Sequence, residues 1–252
     1  MSSIAKYLVE NNFKVGGYDL TKTDITKSLE KSGVKISYKD DLKSIPSSFK
    51  KESVIVIFTP AISIKNKQMF FFKNQGNPIF KRAEILGLLT KKFKTIAIAG
   101  THGKTTTAAI VTHLFYKTRQ SFTAFVGGVL NEFNSNVIIN GNKYAIVEAD
   151  EYDRSFLNLD PSIGLITSID SDHLDIYGSF EEVKKSFKEF INKISDKVIV
   201  SKGLGINGIT YSLNKKADYS AQNINFSKTG YFFDLITPSN NYKSVFFSQL
   251  GL

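Results

Sequence analysis

Apolar runs of strand length alternate along this chain with segments whose apolar residues recur every three to four positions, the pattern of a parallel α/β sheet. Ser2–Asn11 reads as a helix with Ile4, Ala5 and Leu8 on one face, and Phe13–Tyr18 as a strand ending at Asp19. Thr26–Ser32 reads as a second helix closed by Gly33, and Val34–Ser37 as a strand. Val54–Phe58 is an apolar run read as a buried strand, stopped by Thr59-Pro60. A connecting helix around Arg82–Leu89 follows, and the domain boundary is placed there, giving units 1–92 and 93–252.

The second unit is expected to start with a strand over Thr95–Ala99, then a glycine loop, then a helix through Tyr116. Tyr144–Val147 and Ile163–Thr167 read as buried strands, each running directly into polar residues. Phe180–Ile194 is an amphipathic helix with Val183, Phe187, Phe190 and Ile191 inward. From Val198 onward short strands with Gly and Asn turns predict a β-rich end. The chain opens on a helix, whereas a dinucleotide-type fold opens on a strand and a glycine-rich turn. It stops in Phe246–Leu252 without turn or cap, so both ends read as cut.

Composition narrows the function classes. With 42% hydrophobic and 13% aromatic residues the 252-residue chain can build a core, which excludes wholesale disorder. It has no cysteine, so neither a disulfide framework nor a thiolate metal site is available. No secretory leader and no run of roughly 18 apolar residues is present, and the expectation is a soluble cytoplasmic protein. The net charge of +10 invites a nucleic-acid partner. The lysines are scattered, however, and pairs such as Lys91-Lys92 and Lys215-Lys216 form no stripe. Neither nucleic acid nor membrane is expected as a partner, and the basic surface suits an anionic small substrate.

The strongest chemical signal is Gly100-Thr101-His102-Gly103-Lys104-Thr105-Thr106, between a strand and a helix. Glycines let the backbone wrap phosphate, and successive N–H groups at a helix N-terminus supply positive potential. All seven residues are therefore read as binding ATP, with Lys104 reaching the β- and γ-phosphates and the Thr105 hydroxyl holding Mg²⁺. Ile98 stands where the common form of this loop has its first glycine. Two acidic clusters follow, each after a strand. In Glu148-Ala149-Asp150-Glu151-Tyr152-Asp153, adjacent strand ends would bring Glu148 toward Thr105 as a second Mg²⁺ ligand. In Asp170-Ser171-Asp172-His173-Leu174-Asp175, His173 reads as a metal ligand, or as a satisfied polar residue if considered alone. His113, inside the helix after the loop, reads as structural.

Together these blocks resemble the Mur ligase family, the ATP-dependent amide-forming enzymes of peptidoglycan synthesis. Phe58-Thr-Pro-Ala-Ile62, Arg82-Ala-Glu-Ile-Leu-Gly87, Val126-Gly-Gly-Val-Leu-Asn131 and Asp172-His-Leu-Asp-Ile-Tyr-Gly178 join the ATP loop and the Glu148 block, in the family's order. The resemblance implies a partial Rossmann-like N-terminal domain followed by a P-loop, mostly parallel-sheet ATP-binding central domain. It implies ATP and Mg²⁺ as cofactors, UDP-N-acetylmuramate and L-alanine as substrates, and an acyl phosphate between them. Lys104, Glu148 and His173 would be catalytic, with Thr105, Glu148 and His173 holding metal. His102, Gly127, Gly128, Asn131, Asp153 and Ser155 would face the UDP-sugar. Asp19 is either a ligand of the uridine end or a turn residue. A ligase that attaches a pre-made murein tripeptide to the same sugar, and a non-catalytic nucleotide-binding module, are the rival readings. The cut ends lead to the expectation that this chain alone has little ligase activity.

Overall fold

The computed structural model describes residues 1–63 and 65–248. Its first part runs α1 (Ser2–Glu10), β1 (Gly16–Tyr18), α2 (Asp24–Lys31), β2 (Lys35–Ser37), β3 (Val56–Phe58), α3 (Lys67–Asn74), β4 (Ile79–Lys81) and α4 (Arg82–Thr90). Two two-stranded parallel sheets result, β1 with β2 and β3 with β4. The strand expected from Phe13 begins only at Gly16, because Asn12 takes a left-handed turn (φ 64°) and leaves Phe13 62% exposed. The run from Val54 is not a buried five-residue strand either: β3 has three residues, all half-buried, and Ile55 is 58% exposed. α2 starts earlier than expected because Thr23 and Thr26 cap each other reciprocally, Thr26 N donating to Thr23 Oγ1 at 3.2 Å and Thr23 N to Thr26 Oγ1 at 2.9 Å. α3 and β4 were not anticipated; Asn66 Oδ1 caps α3 by accepting from Met69 N at 2.8 Å.

The second part contains β5 (Lys94–Ala99), α5 (Lys104–Lys117), β6 (Phe122–Leu130), β7 (Ser135–Asn140), β8 (Tyr144–Glu148), β9 (Ile163–Ile166), α6 (Leu174–Tyr177), α7 (Phe180–Asn192), β10 (Lys197–Ser201), β11 (Ile209–Leu213), β12 (Tyr219–Ser227), β13 (Gly230–Ile236) and β14 (Asn241–Ser248). These ten strands form one sheet in the order β14-β13-β12-β11-β10-β9-β5-β8-β6-β7. Neighbours are parallel from β12 through β6, and antiparallel only at β6–β7, β12–β13 and β13–β14. The fold is thus mixed α/β with a large, mostly parallel sheet.

β5 sits inside this sheet and is buried on both faces, as its unbroken Ile96–Ala99 run demands. Ala97 and Ala99 face a core with Val147, Phe156, Phe187 and Phe190, and Ile98 faces another with Ala108, Phe122 and Ile146 beneath α5. The first of these cores also takes in Ile4 and Tyr7 of α1 and Ile85 and Leu86 of α4, which seats the N-terminal part against the sheet.

The β-rich end is pinned by one carboxylate. Asp234 accepts from Lys243 Nζ (2.8 Å), Asn223 Nδ2 (2.8 Å) and Ser244 N (3.0 Å), across bulges in both hairpins. The Lys243 and Asn223 hydrogen bonds hold its pKa at about 2, below the ordinary 3.8. A carboxyl whose folded pKa is depressed stabilises the fold fully above its unfolded pKa and loses that contribution as pH falls towards the folded one. Asp234→Asn is therefore expected to lower the urea midpoint at pH 7, with the gap to the wild type closing between pH 4 and pH 2. An equal gap at both ends of that range would refute the assignment.

Candidate functional site

The glycine loop leaves the C-terminal end of β5, between β8 and β9, where ligands gather in open α/β sheets. Gly100 has φ 135°, and a Cβ on it would lie 2.0 Å from Thr167 Oγ1, so no larger residue fits. The loop is stapled to the segment after β9. Thr101 N donates to Ser168 O (3.1 Å), His102 N to Ser168 Oγ (2.9 Å), Asp170 N to Thr101 Oγ1 (2.9 Å), and the Thr167 hydroxyl to His102 O. Left-handed Gly103 (φ 81°) then turns the chain into α5, with open space where a side chain would be. Thr107 N bonds Gly103 O at 3.0 Å, so the N–H groups of Lys104, Thr105 and Thr106 precede the helix's internal bonding and form an anion-attracting end.

Glu148 ends β8 directly opposite Ile98 in the sheet register. Its Oε1 accepts from Thr105 Oγ1 and its Oε2 from Gly127 N, each at 2.7 Å. A Cβ on Gly127 would fall 2.9 Å from that carboxylate, and one on Gly128 3.3 Å from Thr105 Cγ2. The Gly127-Gly128 pair of β6 thus passes tightly over the loop's threonine and its acidic partner. The Thr105–Glu148 pair presents two hard oxygen donors beside the phosphate-seeking helix end. That set fits Mg²⁺, which keeps several waters and typically takes one or two protein oxygens plus phosphate oxygens. Among the described residues no cluster of three or more His, Cys, Asp or Glu stands ready as a complete cage.

Lys104 Nζ is turned back onto its own loop. It donates to Gly100 O (2.7 Å) and to Glu151 Oε1 (2.9 Å), and lies 2.7 Å from Glu151 Oε2. Glu151 is 2% exposed; the Oε2 contact is an ion pair outside hydrogen-bond geometry, and that oxygen has no donor among the described residues. His173 Nε2 lies 3.8 Å from Glu151 Oε1, and the His173 ring packs edge-on against Tyr152 at 5.4 Å. The buried Tyr177 hydroxyl donates to Glu151 O at 2.6 Å, and burial pushes its pKa up. Three non-glycine residues in these turns, Asp153 (φ 51°), Arg154 (φ 54°) and His173 (φ 54°), are left-handed, a conformation that concentrates at functional sites. Lys81 Nζ holds Asp153 at 3.1 Å, Arg154 stacks 4.8 Å over Tyr177, and Ser155 lines a small cavity with Arg82, Glu148 and Asp150.

The other candidates fall differently. The His102 side chain points outward, 3.6 Å from Asp170, and Thr106 is exposed. Asn131 opens the β6–β7 turn beside Glu132, whose Oε2 is 2.7 Å from His113 Nδ1; that contact lowers the Glu132 pKa. Asp19 accepts from Thr21 N at 3.0 Å, the geometry of a turn residue. The sequence reading did not single out Glu151, Thr167, Ser168 or Tyr177. The need of a loop lysine for a buried partner is the signal that could have found this acidic cluster, though not which member of it.

Residues 98–251 match the Mur ligase middle domain, and residues 1–94 match the Mur ligase family, catalytic domain. The chain belongs to the Mur ligase family. It is 44% identical over 255 residues to a UDP-N-acetylmuramate–L-alanine ligase of Christiangramia forsetii and 42% identical over 253 residues to one of Flavobacterium johnsoniae. Each match takes in 100% of this chain but 56% of the relative, so the chain spans little more than half the length of these family members. The fold is shared with the UDP-N-acetylmuramate–alanine ligase of Thermotoga maritima, with TM-score 0.82 and 24% identity, covering 98% of this chain and 57% of that one. A UDP-N-acetylmuramate:L-alanyl-γ-D-glutamyl-meso-diaminopimelate ligase of Neisseria meningitides gives TM-score 0.83 at 18% identity, covering 100% of this chain and 85% of that one.

Proposed function

We propose that this chain carries the nucleotide and metal site of an ATP-dependent ligase in peptidoglycan precursor synthesis, one that joins L-alanine to the carboxylate of UDP-N-acetylmuramate. The observation that carries the reading is the convergence of Lys104, Thr105, Glu148 and His173 at the ends of the adjacent strands β8, β5 and β9. Bound ATP would supply the phosphoryl group: a substrate carboxylate oxygen attacks the γ-phosphorus, ADP leaves, and the amine of alanine then displaces phosphate to form the amide. Such transfers need positioning and charge neutralisation more than covalent help. The Lys104 ammonium and the open N–H groups of α5 would meet the phosphate charge, and Thr105 and Glu148 would hold Mg²⁺. His173 would serve a second cation beside the sugar's carboxylate, with Gly127, Gly128, Asn131, Asp153, Ser155 and His102 on the sugar's side.

Charge distribution supports a division at about residue 92. Residues 1–92 hold 17 Lys and Arg against 8 Asp and Glu, whereas residues 93–252 hold 16 against 15. A partial Rossmann-like unit with that excess would draw in a sugar nucleotide carrying two phosphates and a carboxylate. Among the described residues no helix is long and apolar enough to cross a membrane, and we place the reaction in the cytoplasm.

Titration calorimetry with Mg²⁺ and a non-hydrolysable ATP analogue, and separately with UDP-N-acetylmuramate, tests the reading. Binding of both is expected, with the sugar nucleotide that lacks the carboxylate binding more weakly. Absence of nucleotide binding to a folded chain would reject it. With the remaining length of a relative supplied, phosphate release should depend on L-alanine; dependence on a murein tripeptide instead would move the chain to the recycling branch.

A further inference from the structure

We infer that Glu151 is a positioning residue that holds Lys104 away from the phosphate site until nucleotide displaces it. The inference rests on the ATP reading above and deepens it. A lysine able to neutralise phosphate should present its ammonium toward the helix end, yet here that ammonium is paired with a carboxylate at 2.7 and 2.9 Å and donates a hydrogen bond to Gly100 O at 2.7 Å. The carboxylate is buried, and the backbone that carries it is held at Glu151 and at the residue before it. Tyr177 holds its backbone carbonyl, Asp150 O accepts from Phe156 N at 2.8 Å to close the turn, and Oε2 has no donor other than this ion pair. A side chain so placed cannot follow the lysine outward, so Lys104 must leave Glu151 to reach a phosphate. While the pair is formed, the competent arrangement is a minor one, and apparent affinity falls by the fraction of chains in that arrangement. Once Lys104 has moved, the imidazole of His173, 3.8 Å from the same carboxylate, is the remaining group able to share it. Glu151 would in this way tie the lysine's release to the orientation of His173.

Three variants test this on the 252-residue chain, with Kd for the Mg²⁺ complex of the non-hydrolysable ATP analogue and melting temperature as readouts. Glu151→Gln keeps an acceptor for the lysine but removes the competing charge, and should tighten binding about tenfold, while Glu151→Asp stays near the wild type. Lys104→Met should weaken binding by at least roughly tenfold and lower the melting temperature by on the order of 10 °C, because it strands a buried carboxylate. Adding Glu151→Gln to Lys104→Met should restore most of that temperature and change Kd by less than about twofold. If the wild type binds and folded Glu151→Gln binds no tighter, the inference falls while the ATP reading stands. If the folded wild type does not bind the analogue, the ATP reading fails and takes the inference with it.

Discussion

Replacing Phe156 with alanine is expected to cost the fold about 3–5 kcal/mol, the range for a fully buried aromatic ring. Phe156 is 1% exposed, stacks at 4.8 Å and 8° on Phe190, and meets Phe187 edge-on at 5.2 Å. Deleting the ring removes both pairings and leaves a cavity between α7 and the sheet. The loss should spread to the site, because Phe156 ends the turn that holds Glu151, Asp153 and Arg154. Two of those residues sit in left-handed backbone that costs on the order of 1–3 kcal/mol each and persists only while its surroundings enforce it. A melting temperature lower by about 10 °C or more should therefore accompany weaker binding of the ATP analogue. Phe226→Ala makes the control: that ring is 66% exposed at the far end of the sheet and should shift stability by less than about 0.5 kcal/mol. A Phe156→Ala chain as stable as the control by urea titration would show that the ring does not anchor the turn.

The same turn marks where sequence reasoning stopped. β5, β8, β9 and α7 were legible because burial writes itself into residue order. Ile96–Ala99 is apolar without a break, and α7 carries Ser179 as a cap, with Val183, Phe187 and Phe190 at helical spacing. β6 and β7 were not, since Gly127-Gly128 resembles a loop; the pair is instead a break in the strand register where the backbone must clear Glu148 and Thr105. In the N-terminal part the strands are three residues long, too short for alternation to speak. At the site, Glu148 could be assigned from its place at a strand end. Glu151 could not, because it lies one and two positions from Asp150 and Asp153, and nothing in that run of acids marks which member turns inward. Thr167 and Ser168 escaped for a related reason: they act through backbone-directed hydrogen bonds across 65 or more positions.

Glu148→Gln should separate the metal's share of binding from the loop's. The carboxylate accepts from Thr105 Oγ1 through one oxygen and from Gly127 N through the other, so its rotamer is fixed before any cation arrives. An amide of the same shape can still accept from one of these donors, but it turns an NH₂ towards the other and brings no charge. With Mg²⁺ present, affinity for the ATP analogue should fall roughly 10- to 100-fold, the worth of one charged interaction at about 1.5–3 kcal/mol. With the metal chelated, affinity should stay level or rise slightly, since a negative charge has gone from beside the phosphates. Thr105→Val should reproduce the metal-dependent loss in smaller measure, because it removes a neutral oxygen and leaves the carboxylate. The two opposing trends isolate the cation: a variant that merely loosened the loop would bind worse in both conditions. Equal weakening with and without Mg²⁺ would therefore make Glu148 a brace for β6 and Thr105 and take it out of the metal site.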